Sequence, residues 1–186
     1  MNAAAALEVI LSLRRMGYRI SGENIRRGIG NTVWPGRFTC VMEHPVFLLD
    51  GAHNEEAALR LRESVESYFP GRRLIFIMGV FRDKEYEKIA DIMCPLASSV
   101  YTVSLPDRKR TLPAEELART VSRYCTRVSA EESTEQAVRE ALAEAESEDV
   151  ILAFGSLSYL GQVKEAVDKL DEGSSSGLEK KRGMEK

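Results

Sequence analysis

The sequence has no GxGxxG and no GxxxxGK[ST] pattern, so it carries no self-sufficient phosphate cradle of the usual kinds. Cysteine is scarce: Cys40, Cys94 and Cys125 form an odd, widely spaced set without a CxxC. That excludes a disulfide framework and a thiolate zinc site, and suits a reduced, cytoplasmic protein. Histidine is scarcer, His44 and His53 alone, with no carboxylates at ligand spacing, so no metal site is expected. No apolar run approaches the roughly 18 residues of a membrane span. The opening MNAAAALEVILSLRRMG lacks a basic segment ahead of its apolar part and reads as an amphipathic helix, not a signal peptide. With a net charge of −3 and a pI near 5.6, nothing pulls the chain as a whole toward nucleic acid or an anionic membrane. The basic pairs Arg14-Arg15 and Arg26-Arg27 lack interleaved aromatics and read as solvated helix faces.

What is present suits a globular domain. A chain of 186 residues, 44% hydrophobic and 30% charged, can build one full core and part of a second. Residues 2–16 have helical spacing and stop at Gly17; Ser21 then suits the N-cap of a short helix ending near Gly28 and Gly30. From Trp34 the pattern changes. RFTCVMEH and VFLLD flank Pro45 as a hairpin-like pair. Apolar runs at 72–80, 99–105, 126–130 and 149–155 then alternate with helical patterns of about 12 residues, the mark of a parallel sheet covered on both faces. The expected fold is α/β: a Rossmann-like, mostly parallel sheet with helices on both faces, preceded by a short helical stub. Expected boundaries are 1–33 for the stub, 34–170 for the domain and 171–186 for a disordered tail, DEGSSSGLEKKRGMEK, with no apolar anchor.

In such sheets ligands gather at the carboxyl ends of the strands. Asp50-Gly51-Ala52-His53-Asn54 lies between a strand and a helix, where unpaired N–H groups can receive an anion and Asp50 can accept from a ribose hydroxyl. The plainer alternative makes Asp50 or Asn54 a helix cap and His53 a solvated loop residue. GVFRDK offers Lys84 to a carboxylate or phosphate, with Asp83 as a cap; the alternative is a cap and a surface lysine. Gly155-Ser156-Leu157-Ser158 is an anion seat or an N-capped helix start, and is not a GxSxG elbow, since glycine stands on only one side of the serine. Arg108, in a proline-containing loop, projects over the same edge or is simply solvated.

Taken together, Asn2-Ala-Ala, Trp-Pro-Gly-Arg at 34–37, Leu-Asp-Gly-Ala-His-Asn at 49–54, Gly-x-x-x-Asp-Lys at 79–84 and Phe-Gly-Ser-Leu at 154–157 resemble the folylpolyglutamate synthase / dihydrofolate synthase family of the Mur-ligase group. The resemblance spans about 2–170. It departs at Glu55, where the family often has proline, and at Gly-Ser-Leu-Ser-Tyr-Leu, which moves the aromatic Tyr159 by one place. It implies an ATP-dependent ligase that adds L-glutamate to a folate or dihydropteroate through an acyl phosphate. It further implies that the P-loop, the magnesium ligands and most of the pterin site belong to a larger N-terminal domain, leaving here a C-terminal domain with a stub. By this resemblance Asn2, Arg37 and Asp50 face ATP, and His53 lies where the domains close on the reacting groups. Asn54, Lys84, Arg108 and Ser156 face glutamate.

The chain is therefore expected to be inactive alone, a cytoplasmic monomer that needs the P-loop domain in cis or in trans, with no nucleic-acid or membrane partner. A stand-alone nucleotide- or amino-acid-binding module, and a subunit completing a separately encoded ATPase domain, stay open as alternatives.

Overall fold

The computed structural model describes residues 2–32 and 34–182, without the side chains of Asn2 and of 172–182. The chain divides into compact units at Met1–Pro35 and Gly36–Lys186, against 33/34 expected from the sequence. The first unit holds α1 (Asn2–Arg15) and α2 (Gly22–Gly30). The chain turns after α1 through Gly17, whose φ of +98° lies in the left-handed region that glycine enters without steric cost. Ser21 caps α2 as expected, its hydroxyl accepting from the Asn24 N–H at 3.0 Å.

The second unit contains β1 (Thr39–Glu43), β2 (Val46–Leu49), α3 (Glu55–Tyr68), β3 (Leu74–Met78), α4 (Tyr86–Met93), β4 (Ser99–Val103), α5 (Ala114–Val121), β5 (Val128–Glu131), α6 (Thr134–Glu144), β6 (Val150–Phe154) and α7 (Leu160–Arg182). They build a six-stranded sheet in the order β1-β2-β6-β3-β4-β5. The hairpin expected around Pro45 is present as the antiparallel β1–β2 pair, and every other pairing is parallel. The central strands β3 and β6 are buried at every position, which explains why they read as unbroken apolar runs and not as alternation.

Alternate residues of these strands feed two cores. Phe76, Met78, Leu152 and Phe154 pack beneath α3, α4 and α5, with the Phe76 and Phe154 rings edge to face at 5.4 Å. Ile75, Ile77, Ile151 and Ala153 pack against α6 and α7. The α/β sheet with helices on both faces is thus as the sequence implies. The backbone of α7 continues to Arg182, past the Leu170 boundary where the disordered tail was expected to begin; residues 183–186 lie outside the described residues. No described helix is long and apolar enough to cross a membrane.

At the amino ends of the strands a polar network ties α6 to the sheet. The Glu144 carboxylate accepts from Ser99 Oγ at 2.9 Å and Tyr101 Oη at 2.7 Å, and pairs with Arg73 and, at 3.1 Å, with Arg127. Burial pushes the Glu144 carboxyl up, but the Tyr101 and Ser99 hydrogen bonds and the two guanidinium charges outweigh it and hold it below the usual carboxylate range. A depressed folded pKa adds stability that is present above the unfolded value and is lost as pH falls through the folded one. Glu144→Gln is therefore expected to cost about 2 kcal/mol near neutral pH by urea unfolding. The gap from wild type should close in acid, where the native carboxyl is protonated as well.

Candidate functional site

The carboxyl ends of β2, β3, β4 and β6 lie side by side, and the loop that leaves each contributes to one cavity. Its volume is about 430 Å³ and its walls are His53, Phe81, Lys84, Arg110, Ser156, Leu157 and Ser158. His53, Lys84 and Ser156, expected from sequence, are brought together there.

Each loop is held for a visible reason. After β2 the chain turns on Asp50, whose carboxylate accepts from the Ala52 N–H at 2.8 Å and reaches back to the Phe38 N–H, also at 2.8 Å. The Gly51 N–H donates to the Gly36 carbonyl at 2.7 Å, so the 36–38 loop and the 50–52 turn are joined by backbone as well. Burial pushes the Asp50 carboxyl up, against the pull of the Phe38 and Ala52 N–H groups and the Arg37 charge, which favour its ionised form. This geometry gives Asp50 a structural role besides the expected ribose contact. Asp50 is 9% exposed and both of its oxygens are engaged by backbone donors, which makes it a clamp between loops.

Asn54 is the N-cap of α3, its Oδ1 accepting from the Ala57 N–H at 2.9 Å. It lines a neighbouring cleft with Glu55, Glu56, Leu59 and Glu85 and is not among the residues lining the His53 cavity. The plainer cap reading holds for Asn54 and fails for His53. The His53 ring is half-buried and its Nδ1 sits 2.8 Å from the Gly51 carbonyl. A carbonyl only accepts, so Nδ1 carries the proton and Nε2 is left as the acceptor of the neutral ring.

After β3, Gly79 and Gly155 let two loops approach closely. A Cβ on Gly155 would stand 2.3 Å from the Gly79 carbonyl oxygen, and the Gly155 φ of +111° is itself unsuited to a side chain. Asp83 does not cap α4; the N-cap position is Glu85, without a side-chain bond. Asp83 instead binds Arg110 through both oxygens, at 3.2 and 3.0 Å, with Lys84 Nζ 3.9 Å away. The Arg110 hydrogen bonds hold the Asp83 carboxyl below its usual range.

Arg110 is the residue that sequence reasoning missed. Arg108, expected over this edge, is exposed and is not among the residues lining the cavity. The loop after β4 turns on Asp107, whose carbonyl accepts from the N–H groups of Arg110 and Thr111. It then zips onto the β3 loop through Arg82 N–H to Arg110 carbonyl at 2.8 Å and Leu112 N–H to Val80 carbonyl at 3.1 Å. That pairing lays the Arg110 guanidinium 4.3 Å from the centre of the Phe81 ring. The run Asp-Arg-Lys-Arg signalled a basic loop; only the turn decides which cation faces inward.

Ser156 does not cap α7. Its hydroxyl accepts from the Ser158 N–H at 3.2 Å and lies 2.9 Å from the Ser158 hydroxyl, a tight turn that presents both at the cavity. Tyr159, which the sequence left without a role, is fully buried and donates to the Phe154 carbonyl at 2.7 Å. It anchors this turn from below. Arg37 is exposed, and Asn2 falls outside the described side chains. Two cations, an imidazole and two hydroxyls around a partly apolar cavity suit a small anion that also carries a group able to give up a proton.

The family model for the Mur ligase glutamate ligase domain matches residues 36–157. The dihydrofolate synthase/folylpolyglutamate synthase of Escherichia coli is 33% identical over 170 residues, covering 90% of this chain and 38% of that protein. The chain belongs to the folylpolyglutamate synthase family of Mur ligases, as its C-terminal domain. The Bacillus subtilis enzyme of the same description is 29% identical over 147 residues, covering 78% of this chain and 33% of that protein. The chain thus spans about a third of the length of these curated relatives. Among solved structures, E. coli FolC in complex with DHPP and ADP superposes with a TM-score of 0.81 at 30% identity, covering 91% of this chain and 39% of that one. A bifunctional folylpolyglutamate synthase/dihydrofolate synthase with Mn, AMPPNP and L-glutamate bound gives 0.74 at 26% identity, covering 86% and 38%.

The close approach of Gly155 to Gly79 leads to a prediction. Gly155→Ala should lower stability by on the order of 3 kcal/mol in denaturant unfolding, from strain and backbone clash together. Gly161→Ala, where a Cβ would meet nothing within 4 Å, should stay within about 1 kcal/mol of wild type.

Proposed function

We propose that this domain is the glutamate-side jaw of an ATP-dependent ligase that joins L-glutamate to a folate or dihydropteroate through an acyl phosphate, and that it does not turn over alone. The observation that carries the reading is the convergence of His53, Lys84, Arg110 and Ser156 on one cavity at the carboxyl ends of adjacent parallel strands. Support also comes from relatives named as folylpolyglutamate synthases and from a neighbour described with L-glutamate bound.

Glutamate brings two carboxylates and an amine. Lys84 and Arg110 are the cations within reach of the carboxylates, and a substrate carboxylate would compete with Asp83 for Arg110. The Ser156 and Ser158 hydroxyls complete the polar wall. The amine must be neutral to attack. His53, with Nδ1 donating to Gly51, offers Nε2 as the proton acceptor. The amine nitrogen then bonds to the acyl carbon, the bond from that carbon to the phosphate oxygen breaks, and phosphate leaves with the electron pair. The phosphate takes up the second proton that the nitrogen sheds on becoming an amide.

Arg37, exposed on the loop that Asp50 clamps, is the cation for the nucleotide side in this reading, and Asn2 is assigned to ATP by the resemblance alone. The magnesium that accompanies ATP is assigned to the P-loop domain, as the family resemblance implies. Closure against a P-loop domain would exclude water from the acyl phosphate.

The test is titration of the pure chain with L-glutamate, followed by amide and imidazole NMR. Saturable shifts at His53, Lys84, Arg110 and Ser156 in the millimolar range are expected; shifts confined to other surfaces, or none, would overturn the assignment. Lys84→Ala and Arg110→Ala should each weaken binding by roughly tenfold, about 1.4 kcal/mol. Supplied with ATP, magnesium, dihydropteroate and glutamate, the chain alone should form no amide product; steady glutamylation would refute its dependence on another domain.

A further inference from the structure

Leu157 combines two properties that conflict in an ordinary surface residue. It is 45% exposed, yet its side chain is driven into a notch that only glycines can form. A Cβ on Gly51 would stand 2.4 Å from Leu157 Cδ2 and 2.5 Å from its Cγ, and a Cβ on Gly36 would stand 2.7 Å from the same Cδ2. Gly36 has a second reason to be glycine, its φ of +76°. Gly51 has no left-handed φ; there it is chiefly the Leu157 side chain that leaves no room for a Cβ.

The backbone that Leu157 presses on is the backbone that orients His53. The Gly51 N–H is tied to the Gly36 carbonyl at 2.7 Å, and the Gly51 carbonyl accepts from His53 Nδ1 at 2.8 Å. The leucine therefore closes the open side of the Gly36–Gly51 bridge, while His53 hangs from its far end. Leu157 and His53 also line the same cavity with the cations Lys84 and Arg110.

We infer that Leu157 is a positioning residue: wedged between Gly36 and Gly51, it fixes the Gly51 carbonyl that sets the His53 tautomer and turns His53 Nε2 toward the cavity. This holds whatever molecule the cavity takes, so its failure and that of the glutamate reading are separable. The contact joins the turn after β6 to the turn after β2, which makes the state of one loop depend on the other.

The test needs neither ligand nor activity. The chain has only two histidines, and His44 is exposed, so the imidazole nitrogen spectrum gives His53 with a built-in reference. In mildly alkaline solution, where an ordinary imidazole is neutral, wild-type His53 should show the Nδ1–H form. Leu157→Ala should shift it toward the Nε2–H form that an unconstrained ring prefers, with His44 unchanged, and Leu157→Met should restore it. Leu59→Ala, another exposed leucine at 47%, should move neither signal. An unchanged His53 signal in Leu157→Ala would overturn the inference; should that variant not fold, the smaller trim Leu157→Val must show the shift, and a wild-type signal there would overturn it equally.

The notch is tested from its other side by Gly51→Ala. Alone it should lower Tm and disturb His53. In the Leu157→Ala background the two atoms nearest the methyl, Leu157 Cδ2 and Cγ, are gone, so its Tm loss should shrink. Tm losses that simply add would refute the wedge.

Discussion

The Asp50 carboxylate, buried between the N–H groups of Phe38 and Ala52, is the interaction on which the rest of the site depends. It fastens the loop entering β1 to the turn leaving β2, two segments that the antiparallel β1–β2 pair brings side by side. Burial makes the charge costly. Two backbone donors and the neighbouring Arg37 offset part of that cost, as expected where a carboxylate is used to hold loops and not to meet solvent. Arg37, Gly51 and His53 take their places from this clamp.

Around the clamp, the site is made by backbone closeness more than by side-chain bulk. Gly36 and Gly51 admit Leu157, and Gly79 and Gly155 admit each other. Four strand ends that would need several ångströms of separation with ordinary side chains can therefore crowd around one cavity. The polar groups are then supported from behind: His53 by the Gly51 carbonyl, Arg110 by Phe81 and Asp83, the Ser156 turn by Tyr159. Preorganisation of this kind keeps the cavity's polar groups in place without the domain reordering its loops.

Much of this was legible in the residues. Unbroken apolar strands alternating with helical segments specified a parallel sheet covered on both faces, because a strand buried on both sides has no polar positions to show. The same reading placed His53, Lys84 and Ser156 at strand ends, and the sheet brought them together. The roles of Asp50, Asn54 and Asp83 were less legible. A carboxylate or amide in a strand-to-helix turn can cap, clamp or bind ligand with the same residue type, and the choice depends on which N–H groups lie within about 3 Å. Arg108 and Arg110 differ by two places in a basic loop, and the pairing of that loop with the one after β3 turned Arg110 inward.

The amino-acid sequence by itself determined the sheet, its covering helices, the family motifs and the edge where chemistry gathers, since all of these follow from local pattern and chain order. Only the tertiary structure decided which arginine faces the cavity, that Asp50 is a clamp, and that an exposed leucine needs two glycines as its socket. Those facts depend on contacts between segments far apart in the chain, and periodicity carries no record of such distances.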